Sequence, residues 1–194
     1  MIDFTPVNQY RQNMQEFATD LSLDDFRRWT EESVARMLHL LDVCQDETVT
    51  FVPEDPAAND PYAEDPAERH APWTLAHVIA HMTASAEEYA SVAAELARGV
   101  PFHGRPRYEM PWRQITTVAA CRAKLVESRR MRLASLEMWP DQPHLDLGYV
   151  PWQESGWVNA KGIFAWGLAH DDVHFRQSSA ILAQWQKRTG RSSS

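Results

Sequence analysis

Apolar residues recur every three or four positions in four long stretches of the chain, the spacing that gathers them on one face of a helix. The first stretch runs Leu23, Phe26, Val34, Met37, Leu41, Cys44. Its start is marked by Ser22 as N-cap with Asp25 three residues on, a capping box with Asp in place of the usual Glu, and by Leu21 placed to staple Phe26. The second, Leu75, Val78, Met82, Ser85, Tyr89, Val92, Leu96, is close to a heptad seam and opens on Thr74 as cap. Trp73, just before it, is placed to staple Val78, which makes it a structural residue. The third, Ile115, Val118, Leu125, Leu133, Leu136, lies between Pro111, suited to a first helical turn, and Pro140, which stops a helix after Trp139. The fourth, Ile163, Gly167, His170, His174, Gln177, Ile181, Trp185, lies in a helix expected from about Trp157 to Trp185. Residues 1–21 read as a polar arm with a short helix around Val7 to Ala18, and residues 188–194 as a frayed tail. The pattern predicts an all-α four-helix bundle forming a single domain over residues 1–194.

Residues 45–72 break the periodicity. They hold five prolines, which cannot continue a helix, and a short run, TVTFV at 48 to 52, that reads as extended. The expected role is a long crossover between helices 1 and 2. Charge is concentrated there: eight acids against one Arg give a net of -7, within a whole-chain formal charge of -8. The rest of the chain is close to neutral, so neither nucleic acid nor an anionic membrane surface is expected as a partner. The start, MIDFTPVNQY, shows neither the basic nor the apolar region of a secretory leader, and the expected location is cytoplasmic. Cys44 and Cys121 are far apart and outside any C-x-x-C, in keeping with free thiols in a reducing compartment.

The chemistry concentrates in the fourth stretch. His170 and His174 are one helical turn apart, so both imidazoles can reach one metal ion, although a histidine on such a stripe can also be a hydrogen-bonded core residue. The segment HDDVH at 170 to 174 has Asp171 where H-E-x-x-H places a general base. Its side chain is one methylene shorter than Glu, and Asp172 on the opposite face reads as solvated. Arg122, Arg129 and Arg132 share much of the third helix's apolar face. Arg129 and Arg132 could hold an anionic substrate or cofactor, or pair with acids such as Glu87 or Glu88. His81 lies beside the seam of the second helix where it can lean toward a neighbouring helix, with His77 one turn earlier.

The run WTLAHVIAHM at 73 to 82, followed about 90 residues later by H-x-x-x-H on the last helix, resembles the DinB/YfiT-like superfamily over roughly residues 20 to 187. That resemblance implies a four-helix bundle with a long crossover and a divalent Zn or Ni ion held by three histidines, here His81, His170 and His174. It also implies a small-molecule substrate and thiol-dependent transfer or isomerisation, with hydrolysis as another outcome. No cysteine neighbours the implied ligands, so a thiol would arrive as a low-molecular-weight cofactor. His77 stands where that superfamily often has Gln or Glu, which suggests a supporting or substrate-facing role rather than a fourth ligand; an exposed surface histidine is an equal alternative. Three imidazoles leave a tetrahedral ion one ligand short. The vacancy is expected to open into a cleft between helices 2 and 4, bordered by residues 45–72 and 140–156. A non-catalytic, structural metal is the alternative. Phe164, Leu168 and Val173 fall off the main stripe of helix 4, which suggests a homodimer.

Overall fold

The computed structural model describes residues 2–9, 11–60, 63, 65–106 and 108–190. It is all-α apart from one two-residue hairpin. Four long helices carry the periodic stretches: α3 (Leu23–Leu40), α5 (Leu75–Ala97), α6 (Val118–Leu136) and α7 (Ala160–Thr189). Three short ones accompany them: α1 (Thr5–Asn8), α2 (Met14–Ala18) and α4 (Asp46–Thr50). The capping box of Ser22 and Asp25 opens α3, and the Thr74 side chain accepts from His77 N at the start of α5.

Several boundaries depart from the periodic reading, each for a local reason. The third long helix does not begin at Pro111. Residues Trp112–Gln114 form a 3-10 turn, and α6 starts only after Thr117, whose side chain accepts from Ala120 N. The run at 48 to 52 is mostly helical: Gln45 and Thr48 satisfy each other's backbone N–H in a capping box that opens α4. The arm holds two short helices, because Asn13 caps a fresh start at Met14. The last helix outruns Trp185 to Thr189, where Gly190 takes the left-handed conformation (φ 67°) that ends helices. Of the expected tail, residues 191–194 lie outside the described residues.

Helix α5 packs against both α6 and α7, and α3 packs against the same two helices. Burial around nearly the whole of α5 follows from its many alanines, which let neighbours approach on several sides. The core falls into two clusters. One gathers Phe26, Trp139 and Phe164 with Phe4, Val7 and Met14 of the arm; the other gathers Met37, Trp73, Met82, Leu125 and Ile181. The Phe26 and Phe164 rings are 4.9 Å apart. The arm therefore covers the side of α7 that carries Phe164 and Leu168, both 3% exposed, leaving Val173 at 48%. The apolar face read as a sign of a homodimer is largely filled from within the chain.

The first part of the acidic connection is tied to the helices. Asp46 Oδ1 accepts from Val118 N at 2.7 Å, and Gln184 of α7 exchanges two hydrogen bonds with the Glu54 backbone, at 2.8 and 3.1 Å. Farther along, Glu68 pairs with Arg113 at 2.6 Å. Between α6 and α7, strands β1 (Gly148–Tyr149) and β2 (Val158–Asn159) pair antiparallel, Gly148 opposite Asn159. A Cβ on Gly148 would lie 2.2 Å from Val158 O, so only glycine fits. Asn159 then caps α7 through Lys161 N and Gly162 N.

Candidate metal centre

Helices α5 and α7 bring three histidines to one point. His170 Nε2 lies 3.2 Å from His81 Nε2 and 3.1 Å from His174 Nε2. Two nitrogens bound to one tetrahedral ion at Zn–N distances of about 2.0–2.1 Å sit about 3.3 Å apart, so this spacing fits the donor set of such an ion. His81, His170 and His174 can each present one ligand atom, all within 4.8 Å of one another.

The outer nitrogens show why the inner ones converge. His174 Nδ1 is 2.8 Å from Gln177 Oε1, an acceptor one turn on along α7, so that nitrogen carries the proton and donates it. His81 Nδ1 is 3.3 Å from Glu109 Oε2, which gives the same tautomer. Both Nε2 atoms are thereby left with a lone pair for a metal, the arrangement in which a carboxylate or amide orients a ligating imidazole. Burial, and next the neighbouring His81, push the His174 pKa down to about 4, so the ring is neutral at pH 7.

Trp73 does more than staple the helix start. Its ring stacks on His77 at 4.2 Å, meets His81 edge-on at 4.8 Å and lies parallel to His174 at 5.8 Å. On its far face His77 stacks against Trp112, 5.1 Å away and tilted by only 5°. Thus His77 is not a surface histidine: it is 6% exposed, and burial pushes its pKa down to about 4. It lines, with His81, a cavity of about 500 Å³. Asp60, Asp65, Glu68, Arg105, Glu109, Trp112 and Arg113 complete much of the wall. One border of the expected cleft is therefore corrected: beside residues 60–68 stands the turn at 105–113. The loop at 140–156 instead contributes Trp152, Glu154 and Ser155 to a separate cavity, shared with the arm and α7.

The other site candidates lie in different company. Asp171 is 1% exposed, and its Oδ2 accepts from Arg132 Nη1 at 2.6 Å and Ser33 Oγ at 2.8 Å. One residue on from His170, it is turned about 100° around the helix, away from the imidazoles. Facing away from the imidazoles and committed to Arg132 and Ser33, it does not reach the site a base would occupy, so the role of base is corrected to that of ion-pair partner. Arg132 is likewise committed to Asp171, and Arg129 pairs with Glu31 at 3.3 Å on the outside of α3 and α6. Glu88, considered as an arginine partner, is taken by Arg105 through both carboxylate oxygens. Asp172 is less solvated than its position suggested, lying between Arg36 and Arg176. Neither cysteine neighbours the histidines, and burial pushes Cys44 to about 11 and Cys121 to about 12, so both stay thiols. Glu109 and Trp112 were not legible in advance: they sit in an irregular, Pro-rich turn whose return over α5 no periodicity announces.

A helical protein with three convergent imidazoles beside a cavity belongs to a recognisable class, and its sequence agrees. The DinB superfamily profile matches residues 30–178, a span that includes all three histidines, and the chain belongs to that superfamily. No curated protein and no solved structure matches it.

Proposed function

We propose that this chain is a divalent-metal-dependent enzyme acting on a small molecule, with His81, His170 and His174 holding Zn or Ni on a four-helix bundle whose crossover is residues 45–72. The convergence of three Nε2 atoms, one of them on His81, which lines a 500 Å³ cavity, carries the reading. Three neutral imidazoles suit either ion, and a cavity of this size takes a small-molecule substrate. Bound there, the ion supplies Lewis acidity that brings the pKa of a thiol or a water toward neutrality. The chain's own groups do the rest. Glu109 and Gln177 fix two imidazole tautomers, Trp73 holds three of the rings in place, and the cavity admits the reactant from the His81 side. With both cysteines protonated and remote, thiol transfer requires a low-molecular-weight thiol from outside, and two free thiols suit a cytoplasmic setting.

Elemental analysis of untagged protein tests the ligand set. His81→Ala, His170→Ala and His174→Ala each lose the ion, whereas His77→Ala keeps it. Stoichiometric metal in His170→Ala would overturn the three-histidine site. A second reading, a structural ion, is favoured by one observation: the ligands come from α5 and α7, so an ion would tie the two helices together. Cobalt-substituted protein separates the two, because an enzyme's spectrum shifts with small thiols or carboxylates and a closed structural site stays unresponsive.

A further inference from the structure

The cavity beside His81 is walled mainly by acids, and most of them come from the connection between α3 and α5. Among its described lining residues, Asp60, Asp65, Glu68 and Glu109 stand against Arg105 and Arg113. Both guanidiniums are already engaged with carboxylates. Arg105 is spread across the two oxygens of Glu88, and Arg113 holds Glu68 at 2.6 Å while lying 4.2 Å from the Trp112 ring centroid. Glu68 is held in turn by Arg113, but the four acids outnumber the two guanidiniums, so the described wall carries an excess of negative charge that favours a cation over an anion.

His77 supplies an independent observation. It is 94% buried by its 6% exposure, lines the same cavity, and is held flat between Trp73 and Trp112. Within the described residues, neither ring nitrogen has a hydrogen-bond partner. Kept neutral and lining the cavity, the ring offers a nitrogen as acceptor to what enters it. Stacking on both faces restricts its approach to the ring edge, which suits an N–H donor arriving through the cavity.

We infer that the cavity selects a substrate bearing a primary ammonium group, whose N–H donates to His77 and whose charge is balanced by the excess of acids over guanidiniums in the wall. This rests on the metal reading, since it places the ammonium in the cavity that borders His81. It gives the acidic connection a function: the charge concentrated in residues 45–72 sets the sign of the substrate.

The test uses the cobalt-loaded chain and two thiols of matched length and opposite charge, cysteamine and 3-mercaptopropionate, followed through the thiolate-to-cobalt absorption band. The two differ in their own acidity and chelating power, so the quantity read is the ratio of their Kd values, compared between the parent and Asp60→Asn/Asp65→Asn/Glu68→Gln. Those intrinsic differences cancel in the comparison. The preference for cysteamine falls about tenfold in the variant, as expected for removing an electrostatic wall. His77→Phe, which keeps the ring stack and removes the acceptor, weakens cysteamine severalfold and 3-mercaptopropionate less. If the triple variant fails to fold, the parent's ratio is measured at about 10 mM and about 500 mM salt, between which screening should narrow it. A ratio unchanged by the variant, or by salt where salt is the readout, overturns the ammonium assignment and leaves the metal reading intact. Failure to take up cobalt overturns both.

Discussion

Consecutive residues of α7, His170 and Asp171, belong to two buried polar clusters that differ in one respect: one is closed and the other is open. Asp171 meets Arg132 and Ser33, with the charged pair 1% and 3% exposed and its contacts made within the fold. His170 meets two other imidazoles whose lone pairs point the same way, beside a cavity that reaches the surface. A buried charge must be compensated where it stands, and Arg132 compensates Asp171 within the fold. Imidazoles, unlike a carboxylate, can be buried without a counter-charge, so their donor atoms can be left facing one another for a ligand. The difference separates a cluster closed within the fold from one whose donor atoms are left able to hold a ligand, on neighbouring positions of one helix.

The largest expected effect breaks the closed cluster. Asp171→Ala leaves the Arg132 guanidinium buried without its partner, at a cost of about 3–5 kcal/mol. Chemical denaturation with and without a chelator measures it, and the loss should be the same in both. Asp171→Leu/Arg132→Met should recover much of it, because an apolar pair of similar size needs no compensation. A loss confined to the metallated protein would return Asp171 to the metal site.

Next comes pH, which acts on the open side. The His77 pKa falls from 6.5 to about 4 on folding because burial disfavours the charged ring. Between those values the unfolded chain binds a proton that the folded one does not, so stability declines as pH falls through that window. In metal-free protein the parent should lose stability from pH 6.5 to 4 with a slope approaching one proton more than His77→Phe. Equal slopes would mean that the ring is not held neutral between the two tryptophans.

A smaller change sharpens the comparison without touching a ligand. Glu109→Gln keeps the shape but weakens the hold on His81 Nδ1, and metal affinity should fall about tenfold, the lower end of what losing such a partner costs. Competition with a chromophoric chelator reads the affinity. The denaturation midpoint of the metal-free protein should not move, in contrast with Asp171→Ala.

How far the sequence announced all this depends on which physical signal each residue carried. Helical periodicity and caps located α3, α5 and α7, and the spacing of His170 and His174 marked one side of the metal centre. Ser22 and Asp25 form the expected box. The identity of Asp171's partner was not legible, because Arg132 and Glu88 both lay on helix faces with several acids or bases within reach, and only packing chooses among them. Glu109, Trp112, Asp60, Asp65 and Glu68 reach the cavity from outside the long helices, where position along the chain gives no direction in space. Trp73 was visible as a helix-start residue, but its contact with three histidines depends on how closely α5 and α7 approach.

That approach is tested by the smallest change. Gly167 lies one turn before His170, and a Cβ there would sit 3.1 Å from Tyr89 Cβ, an atom fixed to α5 that cannot swing aside. Gly167→Ala gains about 1 kcal/mol of helix propensity and gives back a similar amount by forcing α5 and α7 apart by a few tenths of an ångström. Net stability of the metal-free protein should therefore change by less than about 1 kcal/mol. The open cluster should feel the displacement more, because His81 comes from α5 and His170 and His174 from α7, and ligand atoms tolerate little error in position. Metal affinity should fall severalfold, while the Arg132–Asp171 pair, which does not involve α5, keeps its contribution in a double-mutant cycle. An unchanged affinity with unchanged stability would show that the α5–α7 spacing does not set the geometry of the three imidazoles, and the contrast between the clusters would then rest on the side chains alone.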